Sequence, residues 1–491
     1  MMQITVKNGA LRGMERGSVA AFLGIPFAKP PVGALRWRPP QPVEDWNGIR
    51  DAVQYGNGCV QRVPSPTGLE LVKEPVSEDC LYLNVWTPKR ALADKKKLPV
   101  LVIIHGGGFQ AVSGAYDILQ GWELAEQGIV VVTCNYRLGA FGFFAHPELT
   151  GESPMHASGN YGILDQIAAL RWVQENIAAF GGDPRKVTVS GESAGAFSVS
   201  ILCMSPLAKG LFCAATAQSG AFMDRRTAAY ELYSMRQAEE YGAGLFPGMR
   251  LDELRRIPAQ TLLERTNPTG MQWMKPVRDG YVFPMDARCA YERGAFCDVP
   301  LLIGSNRDDG AQFTSRSGEA QDLLRLARTV VPESRMREFR DVYPMATEAQ
   351  TVRAQINFTG TAMFGHGMWT WAGLQSQYGK SPVFLYYDCL VPPGSALGSY
   401  HSSELVYLFR KLGYRDWGFT ERDVQAERVL SGYLLNFVKK QDPNGDKLPR
   451  WDTFRDAPEK IMVWDAECRM EQNPTLAEMR FWDSIQKEER A

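Results

Sequence analysis

The sequence predicts an α/β protein: a central, mostly parallel sheet with helices on both faces and helical insertions forming a cap. Three observations lead there. Short apolar, β-branched runs alternate with longer helical patterns through the first half of the chain. The longest of these runs, 98–104 and 128–134, have the length of buried strands and fall far short of a membrane span. The composition is ordinary, 45% hydrophobic and 22% charged over 491 residues, so a large core can form without disulfides or metal. Length alone gives a prior of about three domains. No Gly/Ser linker, repeat or low-complexity stretch divides the chain, however. Residues 1–491 therefore read as one domain, with insertions over approximately 222–297 and 315–380.

In chain order, Val100–Ile104 reads as one buried strand and Ile129–Thr133 as the next. Residues 162–180 carry Ile163, Ile167, Leu170, Val173 and Ile177 at helical spacing. Gly181-Gly182-Asp183-Pro184 should end that helix in a turn. Lys186–Ser190 is a further short strand, and Ala194–Met204 is compatible with helix. Later strands are expected at 301–304 and 383–388. The run Lys95-Lys96-Lys97 reads as a solvated loop.

Counts narrow the chemistry. Lys plus Arg is 54 against 55 for Asp plus Glu, a net charge of −1, so no global field favours nucleic acid or an anionic membrane. Only five histidines are present: His105, His146, His156, His366 and His401. A histidine-rich metal centre would consume most of them, and no Cys-x-x-Cys spacing offers a zinc site, so no metal or other cofactor is expected. Nine cysteines is an odd number, leaving at least one thiol unpaired. The first residues lack an apolar signal core, which favours the cytoplasm.

The chemistry centres on Gly191-Glu192-Ser193-Ala194-Gly195, a G-x-S-x-G sequence. Alone it is a weak signal. Here a strand runs into it and a helix follows, the setting of a nucleophile elbow. Such a turn exposes the serine oxygen at a helix N-terminus, and the flanking glycines admit close backbone approach. His105-Gly106-Gly107-Gly108-Phe109 follows the strand at 100–104 and matches the H-G-G-G loop whose bare amides form an oxyanion hole. Each such donor is worth roughly 3–4 kcal/mol in the transition state. His105 itself is expected to bond backbone. A serine hydrolase of this type needs an acid and then a histidine further along the chain. Asp309, in Ser305-Asn306-Arg307-Asp308-Asp309-Gly310, and His401 fit that order. His366 also lies downstream but sits in a helical stretch and reads as structural. His401 would take the Ser193 proton and return it to the leaving alcohol.

These residues carry a family resemblance. The chain resembles type-B carboxylesterases of the cholinesterase/para-nitrobenzyl esterase family, bacterial members most of all, within the α/β-hydrolase superfamily. The likeness runs from about residue 3 to 485. It rests on Gly24-Ile25-Pro26-Phe27-Ala28-Lys29-Pro30-Pro31, on Ser77-Glu78-Asp79-Cys80-Leu81-Tyr82-Leu83-Asn84, and on Phe180-Gly181-Gly182 through Gly195. Asn135-Tyr136-Arg137, Asn160-Tyr161-Gly162 with Asp165-Gln166, and Pro276-Val277-Arg278-Asp279-Gly280 fit as well. The resemblance implies Ser193 as nucleophile, His401 as base, Asp309 as orienting acid, and Gly107, Gly108 and Ala194 as oxyanion amides. The family more often has Glu at the acid position. Asp is one methylene shorter, so either the loop moves or His401 shifts. Asp308 aligns with a non-catalytic position and is the alternative acid. Glu192 and Ser219 fall on positions lining or supporting the site. Glu192 would hold a water, tune His401 or only stabilise the elbow. By the same resemblance Arg36 pairs with Glu78, and Cys59 and Cys80 form a disulfide closing a loop of about 20 residues, worth roughly 3 kcal/mol.

Cholinesterases place a tryptophan in that Cys-Cys loop to hold a quaternary ammonium. Residues 60–79 contain no aromatic residue here, which disfavours choline esters. Phe109, Trp273, Met274, Met363 and Trp369 are candidates for an apolar acyl or alcohol pocket. The expected function is hydrolysis of small to medium uncharged esters, with water as the second reactant and no nucleic-acid or membrane partner. An amide or carbamate hydrolase with the same triad, and a non-catalytic binding relative, are the alternatives. The latter typically lacks the nucleophile, which is present here.

Overall fold

The computed structural model describes residues 2–63, 72–94, 97–223, 232–267 and 274–488. The chain forms two compact units, Met1–Thr216 with Leu232–Cys297, and Ala217–Glu231 with Asp298–Ala491.

The first unit holds strands β1 (Met14–Arg16), β2 (Val19–Pro26), β3 (Tyr82–Pro88), β4 (Leu98–Ile104), β5 (Val130–Cys134) and β6 (Gly182–Glu192). β4 pairs in parallel with β5 and β6, while β1, β2, β3 and β5 pair antiparallel in succession. The parallel strands are the ones read as buried runs, and Val100, Val102, Val130, Val187 and Val189 have no exposed surface. The antiparallel edge was not legible from the apolar runs. The register sets Ile104 opposite Gly191, so β4 and β6 end level and the loops after them leave the same end of the sheet. Helix α1 (Tyr161–Asn176) tightens to a 3₁₀ turn through Phe180, and Gly181 closes it at φ +78. The expected turn is made at Gly181, and residues 182–184 already belong to β6, whose register breaks between Gly182 and Val187. Helix α2 (Ala194–Met204) is buried along its whole length.

Two motifs quoted above prove to be buried ion pairs. Arg36 donates to both Glu78 oxygens at 2.7 and 2.5 Å, and Arg137 to both Asp165 oxygens at 2.8 and 2.7 Å. Their bidentate geometry offsets the cost of burial and pins loops to α1 and to the β3 approach. Cys59 and Cys80 are joined as a disulfide, with their Cα atoms 5.0 Å apart. Residues 222–297 supply helices Met235–Leu245, Leu251–Arg256, Ala259–Thr266 and Ala287–Glu292. Ser234 starts the first of these in a capping box with Gln237. Lys95 and Lys96 lie outside the described residues.

The second unit holds β7 (Leu301–Asn306), β8 (Val383–Asp388), β9 (Lys460–Trp464) and β10 (Arg469–Gln472). β8 lies between and parallel to β7 and β9, and β10 closes the edge antiparallel. Residues 315–380 supply helices Ala320–Ala327, Met336–Val342, Glu348–Gly360 and His366–Tyr378, the last two joined by a π-helical turn at Thr361–Gly365. With the C-terminal helix Leu476–Glu488 they form a core in which Leu323, Phe339, Phe358, Phe481 and Trp482 pack together. Among the described residues no helix is long and apolar enough to cross a membrane.

Candidate active site

The site residues fall into two constellations, one in each unit. In the first unit β6 delivers the chain into a turn at Ser193, whose backbone is held at φ +56 and ψ −124. A non-glycine residue pays for that conformation, and it is kept only because its surroundings leave no alternative. They do so here by main-chain crowding. A Cβ on Gly191 would stand 2.3 Å from the carbonyl of Gly195, and one on Gly195 would stand 2.1 Å from the Ile104 oxygen. A Cβ on Gly106 would meet both the carbonyl and a carboxylate oxygen of Glu192 at 2.8 Å and the Ser193 Cβ at 3.2 Å. The glycine loop therefore lies directly against the elbow, and Glu192 fills the contact between them. Ser193 is buried apart from 8% of its surface and sits at the N-cap of α2.

Gly107 and Gly108 adopt φ +95 and +63, conformations that suit glycine. The Gly107 carbonyl accepts from the amides of Gln110 and Ala111, both at 3.0 Å. Among the described residues, the amides of Gly107, Gly108 and Ala194 have no hydrogen-bond partner. His105 is turned away from chemistry: Nδ1 meets the Gly106 carbonyl at 2.9 Å and the ring stacks on Tyr136 at 4.4 Å. Burial pushes its pKa down to about 4, so it is neutral around pH 7.

In the second unit β7 ends at Asn306, and a 3₁₀ turn begins at Asp309. Gly310 is required there, because a Cβ would meet the Ile356 carbonyl at 2.1 Å. Asp309 Oδ1 lies 2.8 Å from His401 Nδ1, and Oδ2 accepts from Ser219 Oγ at 2.7 Å and the Asn306 amide at 2.9 Å. The aspartate, one methylene shorter than glutamate, is thus long enough to reach the imidazole here. A carboxylate that already accepts from two donors accepts the Nδ1 proton as well, which leaves Nε2 as the basic nitrogen. Ser219 follows the short strand Ala214–Gln218 and is itself held at φ +52. Phe364, set in the π-helical turn, stacks on His401 with centroids 4.4 Å apart, and Phe313 meets the same ring edge-on at 5.2 Å.

Asp308 is engaged elsewhere. It accepts from the Ser399 amide at 2.9 Å and from Arg307 Nε at 3.1 Å, and it pairs closely with Arg353. It fastens the segment before His401 and does not touch the imidazole's partner atoms. Asn306 also donates to the Tyr400 carbonyl at 2.8 Å and to Glu404 at 2.5 Å, so both sides of His401 are tied to the end of β7. His366 has both ring nitrogens occupied, Nε2 by Asp483 at 3.1 Å and Nδ1 by Gln486 at 3.3 Å.

The candidate pocket residues are divided between the two units. Phe109 is buried edge-on against Phe143, and Met274 lines a small cavity with Phe143 and Tyr233. Met363 is buried in the π-helical turn, and Trp369 donates to Asp483 at 3.1 Å and packs on Phe454. Trp273 lies outside the described residues. Asn306, Phe313 and Phe364 were missed by the motif reading. Asn306 stands inside a quoted motif and its partners are remote in sequence, while a π-helical turn has no apolar period to announce it. Among the described residues, no group of three or more His, Cys, Asp or Glu side chains is arranged to hold a metal.

A strained serine between crowded glycines and a carboxylate-bound imidazole define the class: a serine hydrolase on an α/β scaffold. The comparisons narrow it. The sequence pattern of the Carboxylesterase family matches residues 1–482. A fumonisin B1 esterase of Sphingopyxis macrogoltabida is 38% identical, over 91% of this chain and 84% of its own. The para-nitrobenzyl esterase of Bacillus subtilis is 34% identical, over 96% of each chain. The crystal structure of the Geobacillus stearothermophilus carboxylesterase EST55 superposes with a TM-score of 0.85 at 35% identity, covering 98% of this chain and 99% of that one. The chain belongs to the carboxylesterase family, has the α/β-hydrolase fold and is a carboxylic ester hydrolase.

Proposed function

We propose that the whole chain is one catalytic domain that hydrolyses small to medium uncharged esters through an acyl-enzyme on Ser193. His401 Nε2 takes the Ser193 proton as the oxygen attacks the ester carbonyl. It then delivers that proton to the leaving alcohol, and water repeats the sequence to release the acid. Asp309 holds the tautomer and stabilises the imidazolium. The amides of Gly107, Gly108 and Ala194 receive the charge that develops on the carbonyl oxygen. Glu192 supports the elbow from within, and Ser219 saturates the acid.

The observation that carries this reading is the 2.8 Å contact between Asp309 and His401 Nδ1, which gives the imidazole a base's tautomer. The three partnerless amides add to it. The preference for uncharged esters rests on the absence of aromatic residues over 60–79. The relatives' names, fumonisin B1 esterase and para-nitrobenzyl esterase, support an ester as the substrate. The test is labelling with a fluorophosphonate together with turnover of p-nitrophenyl esters of increasing acyl length, alongside matched amides and carbamates. Labelling at Ser193 and fastest turnover of the short and medium esters is the expected result. Faster turnover of the amide or carbamate, or a label on any other residue, overturns the reading.

A further inference from the structure

One cavity shares no wall with the elbow, the glycine loop or the acid–base pair. Its volume is about 200 Å³, and it lies among the Pro147–Glu152 helix, the turn that follows it, the start of α1 and residues 279–282. That volume is below the roughly 300–1,000 Å³ typical for drug-sized ligands, so its occupant is smaller: one ring with a short polar group. Leu149, Ala157, Leu164 and Val282 make much of the lining apolar.

Polar side chains share the lining, among them Glu152, Asn160, Asp279 and Tyr161. Tyr161 lines the cavity and is 4% exposed, with the Arg137 guanidinium 5.4 Å from its ring centre. Its hydroxyl makes no hydrogen bond with any described residue. Burial pushes the phenol's pKa well up, so it stays a neutral O–H, able to donate. The charges near it, Glu152, Arg255 and Arg38, belong to a closed network. Glu152 accepts from Arg38 at 3.2 Å and from Arg255 at 3.0 Å. Its carboxylate is thus matched by two guanidinium groups, and the Asp279 carboxyl in the same wall accepts from the amides of Tyr281, Val282 and Phe283 at 3.0, 2.9 and 2.9 Å.

We propose that this cavity is a second, non-catalytic ligand site, which takes a small neutral aromatic molecule carrying one hydrogen-bond acceptor for the Tyr161 hydroxyl. An aromatic ketone or ester has the right chemistry. The ring meets the apolar lining, and the carbonyl oxygen gives the Tyr161 hydroxyl an acceptor that it lacks among the described residues. Nothing in this assignment depends on which residues carry the hydrolysis.

The probes are 4-fluoroacetophenone, which has the acceptor, and 4-fluorotoluene, which lacks it, titrated into the intact enzyme and followed by fluorine NMR. Both should bind saturably without competing with p-nitrophenyl acetate hydrolysis. Tyr161→Phe removes one oxygen and keeps the ring, and should weaken the ketone about fivefold while leaving fluorotoluene unchanged. Ala157→Leu, which fills the cavity, should abolish both. Each variant should retain the parent's turnover of p-nitrophenyl acetate. The proposal is overturned if neither probe saturates, if binding competes with the ester, or if both variants bind like the parent. Equal weakening of both probes by Tyr161→Phe overturns the assigned ligand class.

Discussion

The serine constellation and the histidine constellation are held in place by different means. Around Ser193 the constraint is main chain against main chain. Gly106, Gly191 and Gly195 each approach a neighbour so closely that a methyl group has no place. Around His401 the constraint is side chain upon side chain: Asp309 below, Ser219 and Asn306 behind the acid, Phe364 and Phe313 on the ring. Crowded backbone has no intermediate setting, whereas a polar network can lose one member and keep the rest. The first constellation should therefore fail abruptly and the second by degrees.

The largest departure should come from the one side chain in the network that sets a tautomer. Asp309→Asn presents an amide to Nδ1 and leaves Nε2 protonated, and kcat should fall about 10⁴-fold with the fold intact by circular dichroism. Asp308→Asn should cost stability but stay within about tenfold of the parent in kcat, since its partners are Ser399, Arg307 and Arg353. The reverse ranking would transfer the acid's role. Next comes the backbone side. Gly195→Ala forces a Cβ onto the Ile104 carbonyl and should lower the unfolding free energy by about 3 kcal/mol or more, read from urea midpoints. A variant as stable as the parent would remove the contrast between the two constellations. Ser219→Ala takes one of two supporting donors from Asp309 and should reduce kcat about fivefold, with KM unchanged.

The smallest expected effect is a pH dependence of stability. Asp388, behind the histidine segment, has its pKa raised to about 7, chiefly because burial disfavours its charge. Its Oδ2 accepts from Ser399 Oγ at 2.6 Å, which opposes the shift. An unfolded carboxyl titrates near about 3.9. Between the two values the folded chain holds a proton that the unfolded chain has lost. Stability therefore falls as pH rises through that window and is lowest above the folded value. Asp388→Asn removes this linkage, so its melting temperature should gain on the parent's by about 2 °C between pH 4 and pH 8. A constant difference would mean that Asp388 stays charged throughout.

The two constellations also differ in how far the sequence disclosed them. The glycines and Ser193 are consecutive, because a turn and a close approach are local events and must be written locally. The strand before them and the helix after them were legible for the same reason. The acid–base side was placed by chain order and by family likeness, and its supports were mostly invisible. Asn306 lies nearly a hundred positions from the Tyr400 carbonyl it holds, and Phe364 reaches His401 only because a helix widens by one residue per turn. The antiparallel edge escaped for a related reason: strand direction is set by the route of the connection, which an apolar run does not record.

The packing around residues 106, 191 and 195 has an evolutionary corollary. Every single-nucleotide change at a glycine codon that alters the residue adds at least one carbon, and at these positions that carbon lands on a carbonyl, a carboxylate or the Ser193 side chain. No graded series of functional intermediates leads away from such a site. A lineage carrying it can change which esters it cleaves only through residues that never touch the elbow, so diversity among its descendants should collect in the inserted helices while these codons stand still.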